Sequence, residues 1–178
     1  GDLGWLYEGD FIRDDGRLSG VALTSLEPII GSDGLPVSAR RIGDWSDAEG
    51  LAVSQDGQAW ISFERWSRVA RYDDLRGPAT FIEDHPDFFG QRDNRQLEAV
   101  AVDSSGIIWT LPEAPGPDGF PLYRLEDRTW TIAGHVPKDG FYAIVGADFG
   151  PDGRLWILER AHFLGRFFRS RISVLSTT

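Results

Sequence analysis

Two amino acids are missing from this 178-residue chain, and two more are scarce. It has no cysteine, no methionine, three histidines and a single lysine, Lys138. Without cysteine there is no disulfide framework, no thiolate metal site and no sulfur nucleophile, and the redox compartment stays open. The absent initiator methionine leads us to expect an amino terminus that has been processed or cut, while the lack of internal methionine has no physical account. Arginine in place of lysine suits bidentate recognition of carboxylate or phosphate, although genome composition explains it more simply. No hydrophobic run reaches membrane-spanning length and no signal peptide stands at Gly1. A net charge of −10 argues against nucleic acid or an anionic membrane as partner, since either would need a basic face. Also absent are the G-x-S-x-G nucleophile elbow, the H-E-x-x-H zinc motif, the P-loop and the Arg-His-Gly motif of histidine acid phosphatases. Any hydrolytic groups must therefore be dispersed over the fold.

The sequence does contain an internal repeat. Glu49-Gly-Leu-Ala-Val-Ser-Gln-Asp-Gly-Gln-Ala-Trp60, Glu98-Ala-Val-Ala-Val-Asp-Ser-Ser-Gly-Ile-Ile-Trp109 and Val145-Gly-Ala-Asp-Phe-Gly-Pro-Asp-Gly-Arg-Leu-Trp156 recur about every 48 residues, with Gly57, Gly106 and Gly153 in register. A period of this length built from short strands marks a β-propeller blade. Each copy reads as an inner strand, a turn and a nearly continuous apolar strand: Ala59–Phe63, Ile107–Leu111 and Leu155–Leu158. Such runs fit strands covered on both faces. Third strands are expected at Arg68–Tyr72, Pro121–Leu125 and Arg171–Leu175, and fourth strands at Ala79–Ile82 and Thr129–Ala133. Gly4–Ile12 and Arg17–Ile30 read as a hairpin, the outer half of a blade. Phe163–Phe168 reads as a long loop tucked against the propeller. The fold expected is a single all-β propeller domain over residues 1–178, with about three and a half blades. That count points to a partial ring, with closure through complementary ends as the other option.

In such a fold Glu49 and Glu98 precede the innermost strands of consecutive blades, near the mouth of the central channel, and Asp148 could join them. Carboxylates converging from several loops suit a hard cation such as Ca²⁺, or general acid–base chemistry if crowding raises a pKa. They could equally accept hydrogen bonds from the backbone of a neighbouring blade. Glu64-Arg65 and Glu159-Arg160 end second strands, with Glu113 at the equivalent place between them. There a guanidinium could hold an anionic substrate beside a carboxylate base, or the pairs could serve as salt bridges between blades. His162, following Glu159-Arg160 in a loop, is the best acid–base histidine, ahead of His85 and His135. Trp60, Trp109 and Trp156 are locked to the repeat and are expected in the core, whereas Trp45 and Trp66 are candidate ligand platforms.

Several segments together resemble a bacterial family described as esterase-like activity of phytase. They are Asp14-Asp15-Gly16-Arg17-Leu18-Ser19-Gly20, Ser46-Asp47-Ala48-Glu49-Gly50-Leu51-Ala52, Gln96-Leu97-Glu98-Ala99-Val100-Ala101 and Asp152-Gly153-Arg154-Leu155-Trp156-Ile157-Leu158-Glu159-Arg160. Their order and spacing carry more weight than any one of them. The resemblance implies a six-bladed type of propeller, periplasmic or secreted, acting on a small-molecule ester or phosphoester. The metal-binding signature of calcium-dependent propeller phytases is not found; Glu83-Asp84-His85-Pro86-Asp87 is a superficial echo of it. The leading expectation is an esterase or phosphoesterase that uses a divalent cation, Ca²⁺, held by Glu49, Glu98 and Asp148. Glu64, Glu159, Arg160 and His162 are then the catalytic candidates. The alternatives are a non-catalytic module binding protein or carbohydrate, and a calcium-dependent lactonase. Oligomeric state is open.

Overall fold

The computed structural model describes residues 3–39, 46–88, 96–163 and 167–177. Four antiparallel sheets follow one another along the chain: β1 (Trp5–Asp14) with β2 (Arg17–Pro28); β3 (Ala48–Val53), β4 (Ala59–Phe63) and β5 (Arg68–Tyr72); β6 (Leu97–Val102), β7 (Ile108–Pro112), β8 (Phe120–Glu126) and β9 (Thr129–Val136); and β10 (Ala143–Phe149), β11 (Leu155–Phe163) and β12 (Phe167–Leu175). The last three sheets pack face to face in chain order, with the innermost strands β3 and β10 both against β6. This is a β-propeller arrangement.

Burial on both faces explains the apolar runs. All five residues of β4 and all five of β7 are buried. Trp60 packs towards the second blade, beside Leu97, Val100 and Tyr123. Trp109 packs towards the third, beside Ile144, Leu155 and Ile157. On the other side of the first blade, Ala59, Ile61 and Phe63 meet Ile29 and Leu6 at the base of the β1–β2 hairpin. Each repeat turn is closed by a glycine in the left-handed region, with φ +86° at Gly57, +82° at Gly106 and +74° at Gly153. An L side chain is strained there, so the glycine is the fixed point of the motif.

Several expectations need correction. Trp156 is 39% exposed, because no described sheet covers the face of β11 that its equivalents turn to the next blade. The same open face carries Leu158, Ile172 and Val174. Ala79–Ile82 forms no strand. Only Thr80 bridges back, to Arg71, and Pro78 just before it has no N–H to donate. The strand expected at Ile107–Leu111 runs one residue later. Phe163–Phe168 is no long loop: β11 and β12 extend into it, and Phe167 and Phe168 are exposed rather than tucked in. Trp45 lies outside the described residues, and Trp66 is 51% exposed.

Because Trp109 is sandwiched and Trp156 is covered on one side, their truncation costs should diverge. Trp109→Ala is expected to cost about 3–5 kcal/mol in urea unfolding, and Trp156→Ala well under half of that. Equal losses would contradict the blade packing described.

Candidate acidic site at the channel mouth

The innermost strands carry the site because of how they pair. In β3 the register slips between Ala48 and Leu51, and in β6 between Leu97 and Ala99, so Glu49 and Glu98 fall within β-bulges. The slip in β10, between Ile144 and Gly146, places Val145 at the same point. A bulge leaves one residue out of the ladder and re-aims its side chain, a device common beside active sites. Gly50 lets the two bulges approach. A Cβ there would lie 2.7 Å from Ser62 Oγ, 2.8 Å from Val100 N and 3.0 Å from the Glu98 carbonyl oxygen. In its absence the Gly50 N–H donates to Ser62 Oγ at 2.9 Å, and the Ser62 hydroxyl donates to the Glu98 carbonyl at 3.3 Å.

The second strands supply the other groups. Counting four residues on from the repeat tryptophan gives Glu64, Glu113 and Arg160. The Glu64 N–H donates to the Asp47 carbonyl and the Glu113 N–H to that of Gln96, so these residues are equivalent in the first two blades. Arg160 pairs with Ala143 at the matching point of the third. One carboxylate oxygen each from Asp47, Glu49 and Glu64 lies within 4.8 Å of the others. Oxygens sharing one Ca²⁺ at 2.3–2.6 Å must lie within about 5 Å of one another, so the trio fits the first shell of a hard cation. Among the described residues, no backbone amide donates to the carboxylate of Glu49 or Glu98.

Crowding raises the acids. Burial first, then the neighbouring Asp47 carboxyl, pushes Glu49 up to about 7. Burial, followed by the charges of Glu49, Glu113 and Glu64, takes Glu98 to about 7, against the opposing pull of Arg160. Glu64 is raised by burial, Asp47 and Glu113, with Arg65 opposing. Arg65 Nε stands 3.4 Å from Asp47 Oδ2, and the Arg65 N–H donates to the Gln96 side chain, tying the first blade to the second.

Four of the seven residues singled out in the sequence thus share one neighbourhood: Glu49, Glu64, Glu98 and Arg160. Three do not join it. Asp148 is exposed in β10 opposite Trp156, and its carboxylate accepts the N–H of Phe149 at 2.8 Å. Glu159 is 2% exposed, on the core side of β11 where the earlier blades have Phe63 and Pro112. It is held by Arg171 Nε at 2.9 Å and Nη2 at 2.8 Å, and by the Ser173 hydroxyl. Burial raises this carboxyl, but the Arg171 and Ser173 hydrogen bonds outweigh it and hold it below its ordinary value. His162 lies on β11 rather than in a loop, exposed, with its ring 4.4 Å from that of Phe168. Asp47 was not among the candidates. It stands two residues before Glu49, a spacing that would put both on one face of a strand, but no repeat partner marks it, because the second blade has Gln96 there.

The raised acids give stability a definite pH dependence. A carboxyl with a folded pKa of about 7 and an ordinary value near 4.5 binds its proton more tightly when folded, so stability falls as pH rises from about 4.5 to 7 and then levels. Glu98→Gln removes the ionised form. It is expected to raise Tm at pH 8 by about 2–4 °C, for relief on the order of 1 kcal/mol, and to leave Tm unchanged at pH 5. Calorimetry at the two pH values checks this, and an equal effect at both would refute the crowding.

Among solved structures, the chain is similar to a gluconolactonase-like protein, with 15% identity over 81% of this chain and 53% of that one, at a TM-score of 0.49. It is also similar to a catalytically inactive virginiamycin B lyase from Staphylococcus aureus with quinupristin, with 14% identity over 93% and 59% and a TM-score of 0.49. A third is a Hadza microbial sialidase, with 16% identity over 90% and 40% and a TM-score of 0.46. The chain spans about half the length of the solved structures it matches. No curated protein matches it significantly. Over residues 2–178 the sequence fits one family throughout, and the chain belongs to that phytase-like family, described as esterase-like activity of phytase.

Proposed function

We propose that this propeller is a hydrolase of small-molecule esters or phosphoesters, working with a divalent cation at its acidic channel mouth. The observation that carries the reading is the approach of the Asp47, Glu49 and Glu64 carboxylates to within 4.8 Å of one another. Such crowding costs stability, and chains keep it where it serves a site. An all-oxygen carboxylate set suits a hard cation, of which Ca²⁺ is one. When bound it would polarise the substrate oxygen and offset the charge of the cluster. Family membership supports the reaction class, and the family resemblance supports a periplasmic or secreted location.

The residues around the trio divide the remaining work. Glu98, half-buried and raised to about 7, holds its proton near neutrality and is placed to donate it to a leaving oxygen. Arg160, on the third blade, supplies a positive charge close enough to act on Glu98 and suits an anionic group of the substrate. Glu113, at the position equivalent to Glu64, adds a further negative charge that favours the cation. A second reading, acid–base hydrolysis without a metal, draws on the values near 7 for Glu49 and Glu98, which suit proton transfer at neutral pH.

Titration with Ca²⁺ should raise Tm, by more at pH 8 than at pH 5, because the ligands must lose their protons to bind. Glu49→Gln or Glu64→Gln should abolish that shift, whereas Glu159→Gln should lower Tm without changing the response to Ca²⁺. On panels of p-nitrophenyl esters and phosphates, turnover lost to EDTA and restored by Ca²⁺ supports the cation reading. Turnover indifferent to EDTA supports the metal-free one. Full-length protein with no turnover and no thermal shift would sink both.

A further inference from the structure

The blade series presents an apolar face to solvent on each side. In the β1–β2 hairpin, Leu6 packs against the first blade and Glu8 pairs with Arg76 at 2.8 Å, so that side of the ribbon is turned inward. The other side sets Tyr7 across from Leu26 and Phe11 across from Val21, with Leu18 and Leu23 on the same face, all 46–70% exposed. On the far side, the uncovered face of the third blade sets Trp156 across from Val174 and Leu158 across from Ile172, with Phe168 beside them, 39–64% exposed. The two faces leave on the order of 700 and 500 Å² of apolar side chain in water, the apolar share of a standard interface that buries about 800 Å² per partner. Patches of this size mark an interaction surface, and a two-stranded ribbon is marginal without something against it.

Charge decides what fits. Residues 5–28 carry five acids and two arginines, a net −3, whereas β11 and β12 carry three arginines and one acid, a net +2. In a chain of net −10 that basic strand pair stands apart. Hairpin against hairpin, or third blade against third blade, would set like charges together; hairpin against third blade sets opposite ones. The contact would also repeat a packing that this chain makes twice already, since its three blades stack face to face in the same order.

We propose that two copies of this chain join head to tail, the β1–β2 hairpin of each lying on the open third-blade face of the other. Such a contact is heterologous, and with both junctions made it closes on a two-fold axis instead of growing. Each chain brings three blades and one hairpin, so the pair makes a ring of about eight positions, within the range of propellers.

Sedimentation velocity on the 178-residue chain at micromolar concentration tests this, with a species of twice the 19.8 kDa chain mass expected. Phe11→Glu with Val21→Glu, and separately Ile172→Glu with Val174→Glu, should each raise the dissociation constant at least about a hundred-fold, because each pair sets carboxylates in an apolar junction. All four positions are exposed in the single chain, so far-UV circular dichroism should be unchanged. Mixing the two variants leaves one intact junction per pair and should restore a two-chain species, weaker than the wild type; neither misfolding nor a contact between like faces would do that. Trp156→Ala should lower the urea midpoint more at high chain concentration than at low, whereas the effect of Trp109→Ala should not depend on concentration. A monomeric wild type, a dimer that survives either pair of substitutions, a mixture that stays monomeric, or assemblies that lengthen with concentration would each overturn the proposal, the first leaving the faces to a different occupant.

Discussion

The approach of the innermost strands of consecutive blades, at the point where Gly50 has no side chain, is the constraint on which the rest depends. A methyl group at that position would overlap Ser62 Oγ and the backbone of β6. Because it is missing, the Ser62 hydroxyl can bond both strands at once, and the bulges carrying Glu49 and Glu98 come to lie side by side. In the second blade the Thr110 hydroxyl donates to the Ala99 carbonyl at 2.7 Å, a bond within that blade, and the position equivalent to Ser62 is Leu111. The apolar faces then close behind the contact. Trp60 and Trp109 each fill the wedge between two blades, where the strands diverge from the channel. Packing sets the distance between blades, and that distance sets how strongly Glu98 feels Glu49 and Glu64, whereas the approach of Asp47, Glu49 and Glu64 lies within the first blade.

Crowding is where stability and chemistry part. Burial and like charge make the ionised cluster unfavourable, and the protein relieves this by keeping Glu49 and Glu98 protonated up to about pH 7. Glu49 is exposed overall, and solvent screens part of its burden; half-buried Glu98 carries more of it. A proton is one way out of the strain; the proposed cation would be another, and it would compete with the proton for the same oxygens.

The fold was largely legible because burial on both faces writes itself into sequence as uninterrupted apolar runs. The limits of β4 and β5 fall where the sequence placed them. Legibility failed where the rule has no purchase. Ala79–Ile82 has strand-like composition, but Pro78 and the return of the chain over Phe88 and Tyr123 draw it away from β5. Trp156 keeps the repeat's identity without the repeat's environment, since identity is inherited along the chain and burial depends on a neighbouring sheet. The site was half legible. Glu49 and Glu98 stand out because the repeat places them at one point, whereas Asp47 has no repeat partner to mark it, the second blade having Gln96 in its place.

The two Glu-Arg dipeptides show how much one residue of register decides. Read as motifs, Glu64-Arg65 and Glu159-Arg160 look alike; counted from Trp60 and Trp156, they are offset by one. Side chains alternate along a strand, so the offset sends the third-blade glutamate into the core and its arginine to the face of Trp156 and Leu158, with the guanidinium 6.0 Å from the Phe168 ring. A carboxylate in the place of Phe63 cannot stay charged there alone, and Arg171 and Ser173 are recruited to hold it. Arg160, freed from that duty, stands where the first two blades have Glu64 and Glu113, with Val145 in place of the bulge glutamate. The offset thus sets a positive charge within electrostatic reach of Glu98, so the acids of the first two blades are not met by a third-blade acid but by an opposing guanidinium.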